Sequence, residues 1–257
     1  MQPIAKLTRS GAVRGVFTDV DDTLTHGGVV VPEAYAAIVR ARAAGLRIVL
    51  VTGRPAGWAE VLASVWPVDA AIAENGGVAY YKRDGRVHRL YFDPGDPADH
   101  AARLAAVADD VVRTFPFARK SDDATLRITD VAFDVGEFQK LSQDQIDAVV
   151  AHCRSLGART LVSSVHAHAC FHGADKALMA ARVAEVLWGE TADDAAAHYA
   201  FVGDSPNDQA AFSFFATSIG VANVARFLPQ LDPAPRYVTA ASCGLGFAEA
   251  IDALLRT

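Results

Sequence analysis

Three short apolar runs, residues 15–18 (GVFT), 47–51 (RIVLV) and 199–202 (YAFV), each break off into a polar loop that opens at Asp19, Thr52 and Gly203. Runs of this length, bounded by turn residues, read as strands buried on both faces, which is the condition of a parallel sheet. Residues 32–44 lie between the first two runs, with Pro32 at a first helical position, apolar residues along one face and Gly45 where a helix would stop. Strand, helix, strand requires a parallel crossover, so an α/β fold is expected. Ligands on such sheets bind beyond the carboxyl ends of the strands, where these three loops fall.

The middle of the chain has another character. Residues 78–81 and 86–91 flank Asp84-Gly85, a strong hairpin signal, and residues 125–135 alternate as an antiparallel strand would. Helical stretches near 100–114 and 142–155 are interleaved, the second opening on Ser142 and Gln145 at capping-box spacing. Residues 161–171 form a second hairpin pattern. The expected organisation is a parallel core over residues 1–81 and 173–257, interrupted by an α+β insert over residues 82–172. Helices at 175–186 and 246–255, with short strands at 218–221 and 236–238, complete the core.

Composition excludes several functions. Of 257 residues, 51% are hydrophobic and 21% charged, which permits a sizeable buried core. The net charge of −6 without a Lys/Arg block argues against nucleic acid or an anionic membrane as partner. Cys153, Cys170 and Cys243 are odd in number and form no CxxC, which suggests neither a disulfide framework nor a thiolate zinc site and suits a reducing compartment. Lys6, Arg9 and Arg14 interrupt any N-terminal apolar stretch, so a cytoplasmic protein is expected.

The loops carry the chemistry. Asp19 and Asp21 share parity on an extended chain, so both carboxylates would enter one pocket, where they could bind a hard divalent cation or divide nucleophilic and proton-transfer roles. A solvated acidic loop is the plain alternative. Thr52-Gly53-Arg54 offers a hydroxyl and approachable amides for phosphate oxygens. Lys176 opens a helix, where an ammonium beside free N–H groups favours an anion. Gly203-Asp204-Ser205-Pro206-Asn207-Asp208 adds two carboxylates, and an exposed turn is its alternative.

In this order the loops resemble the haloacid dehalogenase (HAD) superfamily: DxDxT at Asp19 to Thr23, Thr52, Lys176, and GDxxND at Gly203 to Asp208. With Glu74-Asn75-Gly76-Gly77 and Gly220-Val221-Ala222-Asn223 the chain is similar to Cof-type phosphatases with a type IIB cap, and among them to sugar-phosphate phosphatases. The resemblance implies a Rossmann-like core with an inserted cap, and a Mg²⁺-dependent phosphatase acting on a small phosphomonoester, a sugar phosphate above all. It implies Asp19 as nucleophile, Asp21 as acid and base, and Mg²⁺ held by Asp19, the Asp21 carbonyl and Asp204, with Asp208 beside them. Thr52 and Lys176 would bind the phosphoryl group, with Gly53, Arg54, Asn75 and Asn207 at the substrate. Ala177 stands where relatives often carry glycine. A phosphomutase and a phosphate-binding protein without turnover are the alternatives.

In the insert, His166, His168 and His172 share parity, so all three could face one side. A zinc cluster, a substrate cavity lined by His166 and His168, and ordinary strand positions are the readings open at this point. Arg127 is a candidate for holding a second anionic group of the substrate, with a surface arginine as its alternative.

Overall fold

The computed structural model describes residues 1–7, 13–93, 95, 97–163 and 165–256. Arg9, named above, and Ser164, inside the second hairpin pattern, lie outside the described residues. In the first part of the chain the strands are β1 (Gln2–Pro3), β2 (Gly15–Thr18), β3 (Thr25–His26), β4 (Val29–Val30), β5 (Arg47–Val51), β6 (Ala70–Ala73), β7 (Val78–Arg83) and β8 (Arg86–Tyr91). Helices α1 (Pro32–Ala43) and α2 (Ala56–Val65) lie among them. Next come α3 (Pro97–Thr114), β9 (Asp130–Asp134), α4 (Gln143–Ser155), β10 (Arg159–Val162) and β11 (His166–Cys170). The chain closes with α5 (Lys176–Trp188), α6 (Ala192–His198), β12 (Tyr199–Gly203), α7 (Gln209–Phe214), β13 (Thr217–Gly220), β14 (Tyr237–Val238) and α8 (Cys243–Arg256).

The large sheet has the order β1-β14-β13-β12-β2-β5-β6-β7-β8. Its pairings are parallel from β1 through β6 and antiparallel at β6–β7 and β7–β8. Val16, Phe17, Ile48, Val49, Leu50 and Val51 have no exposed surface, as strands covered on both faces require. One face packs Ile38 of α1 and Phe247 and Ile251 of α8 against Val16, Ile48 and Leu50. The other packs Met179 and Val183 of α5 and Phe212 of α7 against Phe17, Val49 and Phe201. The chain is therefore an α/β protein with a Rossmann-like core. Among the described residues no helix is long and apolar enough to cross a membrane.

A smaller module has its own three-stranded antiparallel sheet, β10-β11-β9, and its own core, in which Val107 and Val111 of α3 meet Phe133, Val149, Cys153 and Ala169. Ser142 and Gln145 form the capping box expected at the start of α4.

Two expectations need correction. Asp84 and Gly85 both take positive φ (52° and 74°), the backbone of a tight two-residue hairpin turn, but β7 and β8 extend the large sheet. The expected boundary at residue 82 thus falls inside a strand of the large sheet, and the separately bonded module starts only after Tyr91. The strand expected over 125–135 begins at Asp130. Residues Ala124–Leu126 form a 3₁₀ turn, and the amides of Ile128, Thr129 and Asp130 donate to the Glu74 carboxylate of the core. Those amides are committed before a ladder can use them.

Candidate active site

β2, β5 and β12 lie side by side and deliver their loops to one end of the sheet. Asp19 follows β2 directly, its amide donating to the Val202 carbonyl, and its side chain is buried. Lys176, the first residue of α5, is also fully buried. Its Nζ donates to Asp19 Oδ1 at 2.5 Å and to Asp208 Oδ1 at 2.6 Å. The second Asp208 oxygen accepts the amides of Asp204 (2.9 Å) and Ser205 (3.1 Å). Gly203 makes this wrap possible, because a Cβ there would stand 2.4 Å from Asp208 Oδ2.

Burial would strip the proton from Lys176, but Asp19 and Asp208 more than offset this and hold its pKa above the ordinary lysine value. Burial pushes the Asp19 carboxyl well above the usual range, against the opposing pull of Lys176, and the neighbouring carboxylates Asp208, Asp204 and Asp21 add to the rise. Asp204 is likewise raised, to about 7, by burial and then by Asp208. Ligand oxygens of Asp19, Asp204 and Asp208 lie within 4.8 Å of one another. Three buried carboxylates converging around a single lysine form an oxygen-rich donor set short of positive charge, which suits a hard divalent cation. Asp204 is braced on one oxygen, where Asn223 Nδ2 (2.8 Å) and Arg226 (3.1 Å) both donate to Oδ2.

Asp19, Asp21, Gly53, Arg54, His166, His168, Ser205 and Asn207 line one cleft. Its cavity volume is only about 20 Å³, room for a water molecule or so, because the small module lies across it. Arg54 is one strap across it. Its guanidinium holds core residue Asp21 through Nε and Nη2 (3.0–3.1 Å) and module residue Glu137 through Nη1 (3.0 Å). Thr52 is buried below, its Oγ1 accepting the Arg54 amide at 3.0 Å. Asn207 Nδ2 donates to Asn75 Oδ1 at 3.1 Å, so Asn75 stands behind Asn207.

The insert residues divide. His168 and His166 face the cleft. His168 Nδ1 pairs with Asp130 Oδ2 at 2.8 Å, and its buried Nε2 has no protein partner. His166 Nε2 lies 2.9 Å from Glu137 Oε2 but off the hydrogen-bonding direction, and burial pushes its pKa down to about 4. Arg127 corrects the expectation of direct anion contact. It lies behind the cleft with its guanidinium spent on Asp123, on Asp130 (2.9 Å) and on the Gly53 carbonyl (3.1 Å). Arg127 and then His168 draw the Asp130 carboxyl down to about 2 against its burial. His172 lies past the end of β11 and lines a different cavity, so the three histidines do not converge. Among the described residues the Asp19, Asp204 and Asp208 group is the one cluster with metal-ligand spacing.

Sequence reasoning assigned no role to Glu74, Asp130, Glu137 or Arg226. Asp123 and Asp130 sit four before and three after Arg127, a spacing that signals a self-contained ion cluster. Arg226 has no local signal, since its partners Asp22 and Asp204 are distant in sequence.

The sequence profile of the haloacid dehalogenase-like hydrolases matches residues 16–111, which contain the Asp19, Thr52 and Asn75 loops. Over that segment the chain is similar to the haloacid dehalogenase-like hydrolases. A search of curated proteins by sequence returned no match. Among solved structures, the Thermoplasma acidophilum protein 0175 is 19% identical, with 95% of this chain and 99% of that chain covered and a TM-score of 0.75. The sucrose-phosphatase of Synechocystis sp., solved with sucrose and phosphate, is 14% identical over 95% of this chain and 98% of that one, with a TM-score of 0.69. A haloacid dehalogenase-like hydrolase of Bacteroides thetaiotaomicron is 18% identical over 93% and 98%, with a TM-score of 0.68. At these identities the likeness concerns the fold, small module included.

Proposed function

We propose that this hydrolase releases phosphate from a small phosphomonoester, with sugar phosphates as the substrate class, through an aspartyl-phosphate on Asp19. The observation that carries the reading is the buried Lys176 ammonium bridging Asp19 and Asp208 at the end of the cleft. A carboxylate nucleophile is repelled by a phosphate dianion, so fixed positive charge beside it is what the reaction needs. The sucrose and phosphate bound by the structurally similar sucrose-phosphatase support the substrate class.

An Asp19 oxygen attacks phosphorus in line, and the bond from phosphorus to the ester oxygen breaks. Asp21 gives its proton to the departing alkoxide, then takes one from the water that attacks phosphorus and frees Asp19 and phosphate. Lys176 and Thr52 face the transferring oxygens, with Gly53, Arg54, Asn75 and Asn207 around them. Asp19, Asp204 and the Asp21 carbonyl, with Asp208 beside them, would hold Mg²⁺, which supplies charge neutralisation at the phosphoryl oxygens. The proposed core comprises the large sheet and its helices, and the proposed cap is the module between Tyr91 and Gly173. The three cysteines are buried and unpaired, which supports a cytoplasmic setting.

A panel of phosphorylated metabolites monitored for phosphate release tests the reading. Turnover should vanish on chelation and return with Mg²⁺, and Asp204→Ala should raise the Mg²⁺ concentration required more than it changes substrate preference. Full turnover in exhaustively demetallated protein would overturn the metal assignment. Release of an isomeric phosphate ester in place of free phosphate would make the protein a mutase.

The cleft as it stands admits no sugar, so the cap must lift and reclose over the leaving group. Selectivity then belongs to cap side chains facing it, His168 first. His168→Ala should lower kcat/KM for sugar phosphates by about 10- to 100-fold and spare a small aryl phosphate, as expected for one or two lost substrate hydrogen bonds. Equal losses on both substrates would remove His168 from that role.

A further inference from the structure

The loop of residues 74–77 after β6 contributes only Asn75 to the proposed reaction, yet contacts from both core and cap converge on it. Glu74, Asn75 and Gly76 take positive φ in succession (51°, 53° and 110°), a backbone that non-glycine residues adopt only where surrounding contacts impose it. Two of those contacts tie the loop to the catalytic core. The Glu74 amide donates to the Arg54 carbonyl at 3.0 Å, and the Asn75 amide to the Thr52 carbonyl at 3.1 Å.

The other contacts reach the cap and its connections. The chain leaves the large sheet after Tyr91 and returns at Asp175, the residue that caps α5, and both crossings touch this loop. The Gly77 carbonyl accepts the Phe92 amide at 3.1 Å, and a Cβ on Gly76 would stand 2.3 Å from the Asp175 carbonyl oxygen. Glu74 supplies a third attachment. Its Oε1 accepts the Ala56 amide of α2 at 2.7 Å, while its Oε2 accepts the Thr129 amide and hydroxyl, both at 2.5 Å, and the Asp130 amide at 3.1 Å. One buried carboxylate therefore holds a core helix with one oxygen and the start of β9 with the other. Bonds to an ionised acceptor are roughly twice as strong as neutral ones.

A body attached at converging points turns about them. Contacts beside the two crossings survive such a rotation, whereas contacts at a distance from them part. The bond between Arg54 and Glu137 is of the second kind, since Glu137 lies past the far end of β9 from Asp130. We propose that residues 74–77 are the pivot of the cap, with Glu74 as the positioning residue that keeps the start of β9 seated while the cleft opens and Glu137 leaves Arg54. Because Asp130 also holds His168, the same pin returns that imidazole to one place over the cleft at each closure. The proposal rests on the cap-lifting step of the reaction above.

Pulsed electron paramagnetic resonance on the doubly spin-labelled full chain tests it without turnover, so its outcome is separate from that of the phosphate-release panel. Cys153, Cys170 and Cys243 are buried, which leaves introduced surface cysteines to take the label. Val65→Cys, at the exposed end of α2, serves as the core site. Thr125→Cys, close to the pin, and Lys140→Cys, beyond β9, serve as exposed cap sites. The near distance, to Thr125→Cys, should be single and narrow, and the far distance, to Lys140→Cys, broad or split. Glu74→Gln turns an NH₂ group toward one of the two sets of donors, and the narrow near distance should be lost. Glu137→Gln should leave it intact. Should Glu74→Gln fail to fold by circular dichroism, Thr129→Val serves in its place, because it deletes one donor to Oε2, keeps the side-chain shape and should broaden the same distance. A far distance as narrow as the near one would mean a cap that does not turn, and a near distance as broad as the far one would mean a cap that lifts away whole. Either overturns the proposal, as does a near distance that stays narrow in the Glu74 variant or its Thr129 replacement, or is lost in Glu137→Gln.

Discussion

Asp19→Asn should reduce phosphate release by at least about 10⁴-fold, the scale on which enzymes lose a covalent nucleophile, while leaving the protein folded. The amide has the size of the carboxylate but is a poor nucleophile, so no aspartyl-phosphate can form. The fold is spared because Lys176 retains Asp208 as partner at 2.6 Å. Removing one of three buried carboxylates also relieves the repulsion that pushes Asp19 itself upward. The thermal midpoint should therefore stay level or rise. Single-turnover phosphate release and a thermal scan on the same preparation check both halves. Release near the wild-type rate would remove Asp19 from the nucleophilic role, and a large drop in midpoint would show that its charge, not its chemistry, is what the site needs.

The parts of this arrangement that were legible in sequence are those fixed by local pattern. β2, β5 and β12 were marked by apolar runs and their loops by abrupt polarity, and the parallel core follows from them because a crossover helix leaves few topologies. The Asp84-Gly85 turn was equally clear, since few residues tolerate positive φ in succession. What could not be read was which sheet the hairpin joins. Alternation in residues 78–91 fits any antiparallel neighbour, and the choice is made by Ala70–Ala73, which pairs with β7 across a turn of positive-φ residues including Glu74 and Asn75.

Side-chain direction failed for a related reason. Parity places His166 and His168 together only while the strand lasts, and β11 ends at Cys170, so His172 turns into another cavity. The charge of Arg127 makes it a candidate for a second anionic group of the substrate, with a surface arginine as the alternative, yet its role is decided by partners. With Asp123, Asp130 and Gly53 all drawing on one guanidinium, nothing is left for a substrate, and the residue becomes the brace that holds His168, through Asp130, over the cleft. Glu74 is the same lesson in reverse. It reads as a motif residue, but its carboxylate joins core to module by accepting the amides of Ala56, Ile128, Thr129 and Asp130.

The second large effect is expected at Lys176. Lys176→Met keeps an unbranched side chain of similar length but deletes the one ammonium between Asp19 and Asp208, leaving both carboxylates buried without it. Breaking a buried pair by removing one partner costs about 3–5 kcal/mol, and loss of a fixed charge at the transferring phosphoryl group should lower kcat by about 10³-fold. The stability loss has a sign in pH. Without Lys176 the Asp19 carboxyl is raised further above its unfolded value, and a carboxyl raised in the folded state favours folding in acid and loses that benefit as pH rises through the folded pKa. The deficit relative to wild type should thus be smaller at pH 5 than at pH 8 in urea unfolding. Adding Asp19→Asn to Lys176→Met removes one of the stranded charges and should recover part of the stability without recovering turnover, a coupling that a double-mutant cycle reads directly. A deficit independent of pH, or strictly additive losses in the cycle, would show that Lys176 supports the fold by packing alone and does not set the charge state of the nucleophile.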